Sequence, residues 1–189
     1  MCVLHTSGRS YLFSYNSEKF DEGNCEYTKD AVKVSLIETE AMFCSISELQ
    51  GGRVAVFGLS ANPPTGNSGH RGIVNFLAQS GMFDEVWVVP VYQHMYSSKK
   101  SMAPYEDRVT MCKISMEDTS QSTCQVRVMM LEKYAAEHYE ANESKDYRVG
   151  TVDIIDYVNE KCTGLDLSLV LGTDTFRDLV GGKWKHSER

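Results

Sequence analysis

No stretch of this 189-residue chain approaches the ~20 consecutive apolar residues that a bilayer span requires. The opening residues, Met1-Cys-Val-Leu-His-Thr-Ser-Gly8, have no basic segment ahead of an apolar one, which argues against a secretory leader. Six cysteines are present (Cys2, Cys25, Cys44, Cys112, Cys124 and Cys162), but no C-x-x-C pair and no clustered spacing. They read as free thiols of a reducing compartment rather than as zinc ligands or a disulfide framework. Basic residues are in the minority, 19 Lys and Arg against 26 Asp and Glu, a net charge of −7. Non-specific binding to nucleic acid is disfavoured, and an anionic ligand would have to be held by local cations and backbone N–H groups. Neither a Gly-Lys-Ser/Thr phosphate loop nor a G-x-G-x-x-G fingerprint occurs, and no internal repeat or low-complexity tract is visible. The expectation is a soluble protein of the cytoplasm (or the nucleus of a eukaryotic cell), with no membrane partner and no metal centre of its own. Nothing in the sequence sets an oligomeric state.

What is present begins in earnest at Arg53. The chain divides into residues 1–50, an N-terminal extension of unclear structure, and residues 51–189, which read as one α/β domain. In the first part only Tyr11–Tyr15 suggests a strand, and Asp30–Ser45 mixes β-branched and acidic residues without a period. After Gly51-Gly52 the text becomes regular. Buried strands are expected at 53–59, 85–91, 125–131 and 167–172, each a short apolar run of the kind covered on both faces. Helices are expected at 70–80, 105–116 and 149–161, with a weakly patterned helical stretch over 134–146 and a further turn over 174–179. Gly81 suits the stop of the first helix. Strands alternating with helices predict a Rossmann-like, doubly wound parallel sheet, with ligands outside the carboxyl ends of its strands.

Four segments at such ends carry chemistry. The turn Pro63-Pro64-Thr65-Gly66-Asn67-Ser68-Gly69-His70 follows the first buried strand and places a histidine at a helix start, where free N–H groups and the helix dipole favour anions. By itself it reads equally well as a tight connection. The loop Tyr92–Lys100 offers His94, Lys99 and Lys100, either as phosphate neutralisers or as a solvated surface. Arg108, one turn into the next helix, could meet a phosphate or pair with Glu106 or Asp107. Finally, Leu171-Gly-Thr-Asp-Thr-Phe176 precedes Gly181-Gly-Lys-Trp-Lys185. There Asp174 suits a ribose or a helix cap, and Trp184 a stacking platform or a partly buried anchor.

Their order along the chain resembles the nicotinate/nicotinamide mononucleotide adenylyltransferases of the nucleotidyltransferase superfamily. The resemblance runs from Val54 to about Lys185 and rests on Gly58–His70, Val86-Trp-Val-Val-Pro90, Lys99-Lys100, Tyr105-Glu-Asp-Arg108, Arg148-Val-Gly-Thr-Val-Asp153 and Leu171–Trp184. It implies a cytidylyltransferase-like fold and adenylyl transfer from ATP, carried with Mg²⁺, to a pyridine mononucleotide in NAD biosynthesis. It also implies that His70 holds the ATP phosphates, with Thr65 standing for the first histidine of the family turn. Gly58, Ser60, Gly69, Lys99 and Arg108 would lie along the phosphates, Gly172 and Asp174 against the nucleotide, and Thr151 and Trp184 against the pyridine ring. Two departures stand out. Four residues separate Thr65 from His70 where the family has two. The family's next strand and its Ile-Ser-x-Thr-x-x-Arg segment would follow Arg189, so the chain reads as a fragment, or as a protein with part of its ATP grip missing. Phosphopantetheine adenylyl transfer, cytidylyl transfer and a non-catalytic nucleotide-binding module are the alternative readings.

Overall fold

The structure is a computed structural model that describes residues 2–5, 10–12, 52–93, 102–119, 123–142 and 148–184. Six strands, β1 (Cys2–His5), β2 (Ser10–Leu12), β3 (Arg53–Leu59), β4 (Glu85–Pro90), β5 (Gln125–Val128) and β6 (Asp166–Leu171), form one sheet in the order β2-β1-β6-β3-β4-β5. Its parallel body is β6-β3-β4-β5, with Val56 opposite Trp87 on one side and Leu169 on the other. The helices are α1 (His70–Gln79), α2 (Tyr105–Met116), α3 (Leu131–Asn142), α4 (Thr151–Lys161) and α5 (Thr173–Val180).

Alternation along β3 explains how the sheet is covered. Ala55, Phe57 and Leu59 point to one face, where they meet Val74, Leu77 and Ala78 of α1 and Cys112 and Met116 of α2. Val54 and Val56 point to the other, where Leu131, Val158 and Cys162 close over them with Trp87 and Leu167. Two faces buried by two pairs of helices make the sheet doubly wound, as the sequence predicts.

Several expectations change. The strand expected over 125–131 ends at Val128, because the chain turns at Met129-Met130 and Leu131 already opens α3. The Met129 N–H still reaches the Val88 carbonyl at 2.8 Å, so this apolar run continues the ladder by one bond without continuing the strand. The helix expected from 149 begins at Thr151, after Gly150. Within residues 1–50, β1 was not foreseen, and β2 covers only the first two residues of the Tyr11–Tyr15 stretch. The sheet is therefore not wholly parallel: β1 runs antiparallel to β6 and β2 antiparallel to β1. The segment Asp30–Ser45 lies outside the described residues.

Strand order locates the ligand crevice. The chain steps outward from β3 to β4 to β5, then crosses back to lay β6 on the opposite side of β3. The direction of winding reverses between β3 and β6, and the connections leaving their carboxyl ends diverge there. Those connections are the turn 60–69 and the segment from Gly172.

Candidate active site

β3 ends at Leu59, and Ala61 then takes a left-handed backbone, φ 53°, before Asn62 and Pro63. This reversal folds the turn back over the end of the strand. The turn and the approach to α2 enclose an open cavity of about 340 Å³ lined by Ser60, Ala61, Asn62, Pro63, His70 and Met102, within the size range of small-ligand sites. None of the other five lining residues is charged. Asn62 ties the cavity's two walls together, its side-chain oxygen accepting the Ala103 N–H at 2.9 Å.

His70 is half-buried at the first position of α1, its ring 6.1 Å from that of Phe57. Its Nδ1 accepts the Thr65 backbone N–H at 3.0 Å and lies 2.8 Å from Thr65 Oγ1, while the His70 backbone N–H donates to that same oxygen at 2.9 Å. The longer spacing therefore still brings Thr65 against His70, because Gly66–Gly69 loop outward, closed by a Gly69 N–H to Gly66 carbonyl bond of 2.9 Å. Burial lowers the His70 pKa below its ordinary 6.5.

Arg108 is 2% exposed and makes neither of the ion pairs, with Glu106 or Asp107, that its place in the sequence suggests. Instead Nε donates to the Ala103 carbonyl at 2.9 Å, Nη1 to the Ser60 and Val91 carbonyls at 2.9 and 2.6 Å, and Nη2 to the Tyr92 carbonyl at 3.4 Å. Four of its five N–H bonds are thus spent on the main chain where β3, β4 and the loop into α2 converge. Beneath that loop lies Glu132 of α3, a residue the sequence did not single out. Its buried carboxyl is pushed up to about 7 by desolvation, against the Tyr92 and Gln93 backbone N–H groups and the Arg108 charge, which pull it down.

Gly172 caps α5 and is exposed, with the Asp174 carboxylate folded back over it. Asp174 sits in the first turn of α5 rather than at its cap, and no side chain caps that helix. Gly58 is on β3, two residues before Ser60, with open space where a side chain would stand. Thr151 opens α4, whose N-terminus is held by an Asp153 carboxylate accepting the Gly150 N–H at 2.7 Å. Trp184 is half-buried beyond α5, and neither it nor Thr151 lines the cavity. His94, Lys99 and Lys100 lie outside the described residues. Among the described residues no group of three His, Cys, Asp or Glu could hold a metal ion, and no helix is long and apolar enough to cross a membrane.

No protein-family model matches the chain. A probable nicotinate-nucleotide adenylyltransferase of Myxococcus xanthus (strain DK1622) is 28% identical over 137 residues, which are 72% of this chain and 62% of that protein. Two structures of Plasmodium falciparum nicotinic acid mononucleotide adenylyltransferase, complexed with NaAD and with APC, superpose with a TM-score of 0.53. They are 19% and 18% identical and cover 72% of this chain, which in turn covers 58% of theirs. The chain thus spans about three-fifths of the length of the relatives it matches. Taken with the sheet order and the turn at the end of β3, these likenesses give the chain the α/β fold of the two nicotinic acid mononucleotide adenylyltransferase structures, and a sequence similar over 137 residues to that of the Myxococcus protein.

Proposed function

We propose that this chain transfers the adenylyl group of ATP to nicotinate or nicotinamide mononucleotide, forming the dinucleotide and pyrophosphate. The observation that carries the reading is His70 at the head of α1, the one titratable side chain among the described residues that line the cavity, at the point where the sheet reverses direction. The mononucleotide 5′-phosphate oxygen attacks the α-phosphorus of ATP in line, and the bond from that phosphorus to the bridging oxygen breaks, releasing pyrophosphate. No nucleophile of the protein is required. The chain's part is positioning and charge stabilisation, with the His70 side chain donating to phosphate oxygens as negative charge shifts to the leaving group. Mg²⁺ belongs to the substrate in this scheme. It arrives on the triphosphate with most of its water, which suits a site whose described residues offer no cage of carboxylates. Ser60 and Gly69 flank the phosphates, Gly172 and Asp174 approach the nucleoside from β6, and Lys99 supplies a cation. Thr151 and Trp184 take the pyridine ring. The reaction belongs to the aqueous compartment that supplies ATP.

The test is dinucleotide and pyrophosphate formation from MgATP with nicotinate mononucleotide and with nicotinamide mononucleotide, run beside phosphopantetheine and beside CTP. Removing one phosphate donor by His70→Ala should lower kcat by about 10²- to 10³-fold. Full activity in that variant would remove His70 from the mechanism. Nucleotide binding by calorimetry without turnover would favour a binding module instead, and activity only with phosphopantetheine or CTP would move the substrate.

A further inference from the structure

Three hydrogen bonds join Thr65 to His70, and together they decide where the imidazole proton sits. A backbone N–H is only a donor, so the Thr65 N–H can meet Nδ1 at 3.0 Å only if Nδ1 carries a lone pair. A neutral ring then bears its proton on Nε2. Thr65 Oγ1 completes the arrangement: it accepts the His70 backbone N–H at 2.9 Å and turns its own proton toward Nδ1 at 2.8 Å. Gly69 is what lets the threonine come so close. A Cβ there would stand 2.1 Å from Thr65 Oγ1 and 2.8 Å from Thr65 Cβ, so any side chain at 69 would expel Thr65 from the ring. Among the described residues, the neighbours of His70 on the cavity side are Ser60, Ala61, Asn62, Pro63 and Met102, none of them a carboxylate.

We propose that Thr65 is a positioning residue, which fixes the His70 proton on Nε2 and aims that N–H at a phosphate oxygen in the cavity, rather than itself touching the nucleotide. This deepens the adenylyl-transfer reading and rests on it for the identity of the ligand. The ring so held is a neutral donor: it does not have to be protonated to bind phosphate, and it works unchanged as pH rises above the ordinary histidine range. The burial that lowers its pKa acts in the same sense. It also accounts for the tolerance of a longer turn, since the requirement is a hydroxyl against Nδ1 and not a fixed count of residues.

The experiment reads the ring directly. In protein labelled with ¹⁵N-histidine, without nucleotide, ¹H–¹⁵N correlation should show His70 protonated on Nε2, with a titration midpoint below 6.5. Adding MgATP should shift the Nε2 resonance. Thr65→Val removes Oγ1 but keeps the backbone donor. It should shift the Nδ1 resonance while leaving the proton on Nε2, raise the midpoint because a donor to the neutral ring is lost, and weaken MgATP binding by about 3- to 10-fold, the worth of one hydrogen bond. Thr65→Ser should restore all three, and Gly69→Ala should reproduce Thr65→Val by displacement. A wild-type ring protonated on Nδ1 overturns the proposal. So does an Nε2 signal indifferent to MgATP, or a Thr65→Val variant that loses nucleotide affinity while the His70 signals stay put. Because the tautomer is read without substrate, an Nε2–H ring that shifts with MgATP in a chain that makes no dinucleotide counts against adenylyl transfer, not against Thr65.

Discussion

Arg108 is the side chain whose partners say most about how the site is built. Its guanidinium gathers four carbonyls from three converging segments, so the positive charge is used to hold the floor of the cavity in shape. Lysine presents a single ammonium in place of the planar fork and cannot span Ala103, Ser60, Val91 and Tyr92 at once. Arg108→Lys should destabilise the protein by about 2–4 kcal/mol through orphaned carbonyls, read as a lower urea midpoint at unchanged slope. The ion pairs expected with Glu106 and Asp107 fail for a geometric reason: residues one or two apart on a helix do not share a face. Both acids are exposed while Arg108 points inward, and Glu106 instead lies 3.7 Å from Lys133 of α3. The sequence shows a cation near a helix start. It does not show that the cation's partners are main-chain atoms contributed by three separate loops.

Elements whose signals are local were read well. Strand β3 and helix α2 have the bounds that their apolar runs and flanking residues predict. The end of α1 follows the expected glycine rule: Ser80 caps the last turn with its hydroxyl on the Leu77 carbonyl at 2.7 Å, and Gly81 takes φ 69°. A Cβ at Gly81 would meet nothing within 4 Å, so Gly81→Ala isolates the left-handed backbone. It should cost about 1 kcal/mol, seen as a lower thermal midpoint with the fold unchanged. Elements defined by distant partners were legible in part, as α3 within the helical stretch expected over 134–146, or not at all. Helix α3 buries Ala135 and Ala136, small residues that give no amphipathic stripe, and its Glu132 reads as surface charge until Tyr92 and Gln93 are seen above it. Strand β1 is four residues long and owes its existence to β6, so no local pattern announces it.

For the molecule as a whole, Glu132 links the site to stability. An acid whose pKa rises on folding, here from 4.5 to about 7, binds its proton more tightly in the native state. Between those values the native protein holds more protons than the unfolded chain, so stability falls as pH rises through that window and levels off above it. The advantage is complete below about pH 4.5 and lost above about pH 7. His70 acts with the opposite sign, since a lowered pKa penalises folding in acid. Denaturant midpoints from pH 5 to pH 8 should therefore fall less steeply in Glu132→Gln than in the wild type, and the difference between the two curves isolates Glu132. Equal slopes would mean that the carboxyl is already ionised in the folded protein.

The antiparallel pairing of β1 with β6 bears on how the protein is made. Cys2 lies opposite Leu171, so β1 meets its neighbour β6 only 169 residues later in the chain. Strands β3, β4 and β5 and four of the described helices are synthesised in between, and among the described strands only β2 can pair with β1 while it waits. Among the described strand pairings, the closing of this edge is the step with the longest loop and so the slowest by topology. Until then β6's flank is an open ladder of N–H and C=O groups, and the newly made chain is most prone to self-association there.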